Sequence, residues 1–257
     1  AEHEHLRDRS EGSDAAMKAA LVTGASGDIG TSIARDLEGS GWSLYLHYHS
    51  NQEKINLLLS ELQTAYPGQE FYPICLDLTD EAEVTKLADH IFSLQAIVFA
   101  HGRTEYGLLQ DMTSMQMDDL WEMHVKMPIL IIQTLYEKIN RSGNGRIVFI
   151  SSIYGEVGSG LEVLYSTVKG AQIAFVKAYS KEVASMGVTV NAICPGAIDT
   201  QMNTHLQKDE KEALLEEIPL GRMGKPDEIS FWVSQLLKDD SRYMTGQAIY
   251  VSGGWLR

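Results

Sequence analysis

The chain has 257 residues, 44% of them hydrophobic, and a formal net charge of −14 at pH 7. This is enough apolar material for one large core. The longest wholly apolar run, Met127–Ile132, falls far short of a bilayer span, and the acidic balance argues against nucleic acid or an anionic membrane as partner. Ala1–Ala16 is polar, with five acids and two arginines ahead of Met17. It reads as a disordered extension or a cloning remnant, leaving 17–257 as a single domain.

Ala19–Val22 is a short apolar run of the kind that forms a buried strand. It runs into Thr23-Gly24-Ala25-Ser26-Gly27-Asp28-Ile29-Gly30, and Ser32–Leu37 then has helical spacing. Strand, glycine-rich turn and helix open a βαβ unit. Its turn brings backbone against a pyrophosphate, and its helix offers free N–H groups and the positive end of a dipole. A second strand is predicted over Trp42–His49. An NAD site usually carries an acid at the end of this strand to bind the ribose 2′-OH. Here the stretch is His47-Tyr48-His49-Ser50-Asn51, with no carboxylate before Glu53. A 2′-phosphate would be tolerated, with the histidines, Ser50 and Asn51 as donors, so NADP(H) is favoured over NAD(H).

Further strands are predicted at Phe71–Leu76, Ala96–Ala100, Arg146–Ile150, Val188–Ile193 and Ala248–Val251. Helices are predicted at Asn51–Tyr66, Glu81–Ser93, Met115–Arg141, Tyr165–Met186, Gln207–Glu217 and Pro226–Leu237. The alternation implies an α/β fold, a single doubly wound Rossmann-type parallel sheet flanked by helices on both faces. Asp77, Gly102, Ser152 and Pro195 each follow a strand and should converge on one crevice. The two cysteines, Cys75 and Cys194, lie in or beside strands and read as buried free thiols in a reducing cytoplasm. No Cys/His spacing suggests a metal site.

Ser152, Tyr165 and Lys169 form a proton-transfer pattern. Tyrosine and lysine at i and i+4 share one helix face. A lysine ammonium favours the phenolate and should lower the tyrosine pKa from about 10. Ser152 can hydrogen-bond a substrate oxygen. Such a group moves H⁺ at a carbonyl/alcohol centre, a task that accompanies hydride transfer.

Taken together, Thr23–Gly30, Asp77-Leu78, Ser152, Tyr165/Lys169, Pro195-Gly196 and the ending Tyr243–Gln247 with Val251–Trp255 resemble a short-chain dehydrogenase/reductase, over Met17 to Arg257. Within that family the chain is most similar to the 3-oxoacyl-acyl-carrier-protein reductase branch. The resemblance implies that Tyr165 is the general acid, that Lys169 tunes it and binds the nicotinamide ribose, and that Ser152 polarises the carbonyl. It implies cofactor contacts from Gly24, Ser26, Asp28, Ile29 and Gly30, from Asp77 and Leu78 at the adenine, and from Ala100 and Gly102. Asn191, Pro195, Gly196, Ile198 and Thr200 would also lie along the cofactor, with a mobile substrate lid from Asp199 to about Leu220. It further implies a homotetramer, built on the apolar faces Leu120, Met123, Met127, Leu130, Ile131 and Val168, Ile173, Phe175, Val176.

Three positions depart from the family pattern. Asp28 replaces a second glycine, which puts a carboxylate near the pyrophosphate. Phe99-Ala100-His101-Gly102 replaces Asn-Asn-Ala-Gly. His124 stands where a fourth catalytic residue, an asparagine, is usual, and a histidine there could shuttle protons. Substrate signals also depart. A partner as acidic as acyl carrier protein needs a basic landing patch, and only Arg141 and Arg146 remain of it. Glu156 and Glu162 flank Tyr165 in sequence, and a carboxylate in the pocket would favour a cationic substrate. Tyr154-Gly155-Glu156 with Glu162–Tyr165 resembles members that reduce a 5-aminopentanone group on a lysine of elongation factor P. The substrate is thus expected to be a small-molecule or protein-attached ketone. A dinucleotide-binding sensor without turnover is the alternative from another class.

Overall fold

The computed structural model describes residues 18–204 and 207–255. The expectation for residues 1–16 therefore lies outside the described residues. In chain order the elements are β1 (Ala19–Thr23), α1 (Asp28–Glu38), β2 (Ser43–Tyr48), α2 (Gln52–Ala65), β3 (Phe71–Cys75), α3 (Glu81–Thr85), α4 (Leu87–His90) and β4 (Ala96–Phe99). There follow α5 (Ser114–Trp121), a π-helical turn (Glu122–Lys126), α6 (Met127–Arg141), β5 (Arg146–Ile150), α7 (Tyr154–Val157) and α8 (Val163–Val183). The chain continues with β6 (Thr189–Pro195), α9 (Lys208–Glu217), α10 (Pro226–Leu236) and β7 (Ala248–Val251).

All strand pairs are parallel, in the order β3-β2-β1-β4-β5-β6-β7. Winding reverses between β1 and β4, so a crevice opens beyond their carboxyl ends. The β1/β4 register, Thr23 opposite Phe99, sets the glycine turn beside Ala100-His101-Gly102. Parallel strands buried on both faces need apolar residues throughout, and β1, β2, β4, β5 and β6 are buried at every position. One face packs Ile33, Leu37, Ile55, Leu62, Ile229 and Val233 from α1, α2 and α10. The other packs Val84, Leu87, Ile131, Leu135, Ile173 and Val176 from α3, α4, α6 and α8. Each such buried side chain contributes roughly 1.5–3 kcal/mol, so the sheet is a rigid base for the crevice. No described helix is long and apolar enough to cross a membrane.

Two helices differ from expectation. The Glu81–Ser93 segment is two short pieces, capped at its start by the Asp80 carboxylate on the Ala82 N–H. The Met115–Arg141 helix is interrupted by the π turn. Pro128 has no N–H for the carbonyl of His124, four residues before it, so regular helical pairing fails at that point. Cys75, expected to be buried, is exposed.

Candidate active site

Backbone geometry shapes the nucleotide end of the crevice. Gly24 has φ +68°, which favours glycine. A Cβ there would meet the His101 backbone at 2.6 Å. Gly27 begins α1 with no side-chain cap, so first-turn N–H groups stay available for a pyrophosphate. A cavity of about 430 Å³ opens here, lined by Gly24, Ser26, His49, Asp77, Leu78, Ala100, Gly102 and Arg103, among others. It joins a smaller one of about 120 Å³ lined by Ile29, Gly102, Ser152, Tyr165, Lys169, Pro195, Gly196, Ile198 and Thr200. Ala100, His101 and Gly102 border both. An elongated dinucleotide fits this channel: a backbone cradle for phosphate at one end and Tyr165 and Lys169 at the other.

His47 lines the channel but is spoken for. Its Nδ1 accepts the Gly24 N–H at 3.0 Å and its Nε2–H donates to the Leu76 carbonyl at 3.1 Å. Burial lowers its pKa to about 4, so the ring is neutral. It pins the glycine turn to β2 and β3 and has no donor left for a 2′-phosphate, which corrects the expectation. Tyr48 packs into the core and does not line the channel. Ser50 and Asn51 do not line it either; the Asn51 side chain caps α2 through the Lys54 N–H at 3.1 Å. His49 does line it, with Nε2 3.9 Å from the Asp77 carboxylate. Thr79 hydrogen bonds hold the Asp77 pKa below its ordinary value.

Asp28 is reconciled with the pyrophosphate site by its partners. Oδ1 accepts from Lys54 Nζ at 2.9 Å and Oδ2 from the Gln201 N–H at 2.7 Å. Burial raises its pKa, but these two donors outweigh that and hold it below the ordinary value. It does not line the channel and joins the turn to the segment after Thr200. Gly30 does not line the channel either; a Cβ there would meet the Gly24 carbonyl at 2.1 Å, so it serves close packing of α1 on the turn.

The reacting end is assembled by β5, β6 and α8. Ser151 N donates to Ile193 O and Ile153 N to Pro195 O, extending the β5/β6 ladder and fixing Ser152 between them. Gly155 lets α7 press on α8, since a Cβ there would meet Lys169 and Gly170 backbone at 2.8 and 2.9 Å. Tyr165 and Ser152 line this end of the channel together. Lys169 Nζ lies 5.4 Å from the Tyr165 ring centroid and donates to the Ile150 carbonyl at 2.9 Å. Burial, then the nearby Glu162 carboxylate, push the Tyr165 pKa well above its ordinary value; the neighbouring Ser152 hydroxyl offsets this only in part. The lowered phenol pKa expected from the sequence is thus overturned by desolvation. Burial also brings Lys169 down to about 7.

His124 is fully buried and lines neither part of the channel. Its ring stands edge-on to Tyr165 at 5.7 Å, and its Nε2–H donates to the Arg103 carbonyl at 2.8 Å. Burial, then the Lys169 charge, hold its pKa well below 6.5. A ring kept neutral and sealed behind Gly102 does not carry protons to solvent, contrary to the shuttle expectation. His101, not singled out as a site residue, ties β1 to the π turn: Nδ1 accepts from Thr23 Oγ1 at 2.6 Å and Nε2–H donates to the Met123 carbonyl at 2.8 Å.

On the other side of Tyr165 lies a cavity of about 320 Å³, lined by Thr104, Tyr106, Ser152, Tyr154, Glu162, Asn203, Leu214 and Trp255, among others. Glu162 faces it and accepts from Thr104 Oγ1 at 2.8 Å. Leu161, the one non-glycine residue with positive φ among the described residues, at 63°, sets up this turn. Glu156 is exposed and receives the Tyr250 hydroxyl at 3.0 Å, outside the cavity. Tyr154 and Trp255 stack edge to face at 5.9 Å. Sequence reading missed Tyr106 and Trp255 because distant loops bring them in. It also placed Asn191 on the cofactor, whereas its side chain bonds Met244 O and Gln247 N. Arg146 is 1% exposed and offers no landing charge.

Comparison with known proteins agrees with this geometry. A family profile described as enoyl-(acyl carrier protein) reductase matches residues 24–256. The chain is 40% identical over 239 residues to the uncharacterized oxidoreductase YmfI of Bacillus subtilis (strain 168), covering 93% of this chain and 98% of that protein. It is 34% identical to the 3-oxoacyl-[acyl-carrier-protein] reductase FabG of Staphylococcus aureus (strain N315), over 92% of this chain and 97% of that one. A solved short-chain dehydrogenase/reductase from Serratia marcescens BCRC 10948 superposes with a TM-score of 0.86 at 26% identity, covering 93% and 98% of the two chains. The chain belongs to the short-chain dehydrogenase/reductase family and is an NAD(P)-dependent oxidoreductase.

Proposed function

We propose that the chain is an NADPH-dependent carbonyl reductase, with Tyr165 as the acid that protonates the substrate oxygen. One observation carries the reading: Tyr165 borders both the dinucleotide channel and the 320 Å³ cavity, and Ser152 lines the same two spaces beside it. A reduced nicotinamide bound at this end supplies the hydride. The Ser152 hydroxyl and the Tyr165 O–H bracket the carbonyl oxygen in the cavity. A phenol whose pKa is raised stays protonated at neutral pH, as an acid must. As its proton leaves, Lys169 sets a positive charge near the phenolate. The end of β2 itself carries no carboxylate before Glu53, and His49, Ser26 and Arg103 line the channel there beside Asp77 and Asp119; this supports NADPH.

For the substrate, likeness to 3-oxoacyl-acyl-carrier-protein reductases supports an acyl thioester. Glu162 together with Tyr106, Tyr154 and Trp255 supports a narrower reading, a ketone that carries an ammonium group, free or on a lysine of a protein such as elongation factor P. An acidic side chain framed by aromatic faces suits a cation, and with Arg146 buried only Arg141 of the two basic residues is exposed to receive an acidic carrier. The homotetramer inferred from the family remains our reading of its assembly.

The test is NADPH consumption on a panel of acetoacetyl thioesters, plain ketones and amino-ketones, with Tyr165→Phe as control. Turnover is expected, preferentially on amino-ketones, with a loss of about 10²–10⁴-fold in Tyr165→Phe and unchanged NADPH binding. NADPH binding without turnover on any ketone would instead point to a dinucleotide sensor.

A further inference from the structure

The Lys169 ammonium is 3% exposed, and no carboxylate pairs with it among the described residues. A buried charge in that position requires hydrogen-bond acceptors. Two reach it: the Ile150 carbonyl at 2.9 Å and Gln172 Oε1 at 3.4 Å. Gln172, one turn further along α8 and itself 3% exposed, is the sole side chain bonded to Nζ among the described residues. Its other end donates from Nε2 to the His124 carbonyl at 2.8 Å. That carbonyl is open to it because Pro128 has no N–H. Both contacts are complementary in only one orientation of the amide, with nitrogen toward the carbonyl and oxygen toward the ammonium.

We propose that Gln172 is a positioning residue for the reduction. It uses the carbonyl freed by the π turn as an anchor and holds the Lys169 ammonium charged and aimed at Tyr165. The inference rests on the Tyr165–Lys169 chemistry proposed above. The titratable groups facing Lys169 do not take over this part. Tyr165 on the same helix, His101 after β4, His124 in the π turn and Cys194 on β6 are all held neutral by burial, the thiol with a pKa raised to about 12. The ammonium therefore depends on two dipoles, and only one of them belongs to a side chain.

The test compares wild type with Gln172→Leu and the isosteric Gln172→Glu; Gln172→Met stands in if the leucine variant does not fold. The primary readout needs no substrate: the Lys169 Nζ titration by NMR of ¹⁵N-lysine-labelled enzyme, assigned by its loss in Lys169→Met. Leucine or methionine is expected to lower this pKa by about one unit and glutamate to raise it by about as much. The upper pH limb of kcat/KM should follow in the same directions, with kcat falling more than KM for NADPH rises. An Nζ titration unmoved by both classes of variant overturns the positioning role, even in active enzyme. If wild type turns over no ketone but Nζ still responds, the reductase reading fails and the Gln172–Lys169 coupling stands.

Discussion

Lys169 carries the pH response of the site. Its folded pKa is depressed to about 7 by burial, so it is an ammonium below that pH and a neutral amine above. Because the charge is what stabilises the departing phenolate, kcat/KM for ketone reduction is expected to be high below about pH 7 and to fall as pH rises through it. A limb found only above pH 9 would show that Lys169 keeps its charge in the working enzyme. On the amino-ketone reading proposed above, Glu162 sets which ketone is preferred. Glu162→Gln keeps the Thr104 contact but removes the charge, and should cut kcat/KM for an amino-ketone by about ten-fold, since a charged hydrogen-bonded contact contributes roughly 1.5–3 kcal/mol. Plain ketones should be unaffected; equal losses on both would remove Glu162 from recognition. The same side chain also explains why Tyr165 is harder to ionise than its lysine neighbour suggested: a carboxylate and a dry environment oppose one ammonium.

The segment after β6 is tied to the glycine turn by Asp28. Its carboxylate receives the Gln201 N–H at the start of a 3₁₀ turn (Gln201–Asn203) and the ammonium of Lys54 on α2. Met202 and Asn203 on that turn border both the channel and the substrate cavity. Asp28→Ala is expected to loosen the turn, raising KM for ketone about five-fold, in keeping with about 1 kcal/mol for a partly exposed charged contact. Proteolysis near Gln201 should quicken in the same variant. If both are unchanged, the Asp28 contact does not hold the lid. The π turn is the matching device on the opposite face. The sequence predicts one helix over Met115–Arg141, and the effect of Pro128 shows only once His124 O is seen bonded to Gln172.

The faces that sequence reading assigned to subunit pairing are largely spent within one chain. Leu120, Met127, Ile131, Val168, Ile173 and Val176 are all buried in the monomer. Exposed apolar side chains remain on α5 and α6 at Met115, Trp121 and Tyr136, and also lie on α10, with Phe231 at 50% and Trp232 at 41%, and at Tyr243, fully exposed beyond it. Clustered aromatics of this kind mark contact surfaces. If the homotetramer forms through them, Trp232→Glu should shift the sedimenting species to a smaller one with the sheet's far-ultraviolet signature intact. A species of unchanged mass would move the contact off α10.

The winding of the sheet, the glycine turn, and the grouping of Ser152, Tyr165 and Lys169 were legible in the residue order, because periodicity and i/i+4 spacing are local and survive without knowledge of neighbours. How those groups behave follows from their three-dimensional surroundings. Whether Glu162 or Glu156 lines the second cavity, whether His47 has a free donor, whether Arg146 shows its charge and which way the Tyr165 pKa moves all depend on burial and on partners distant in the chain. Desolvation acts at a point in space, and residue spacing carries no measure of it.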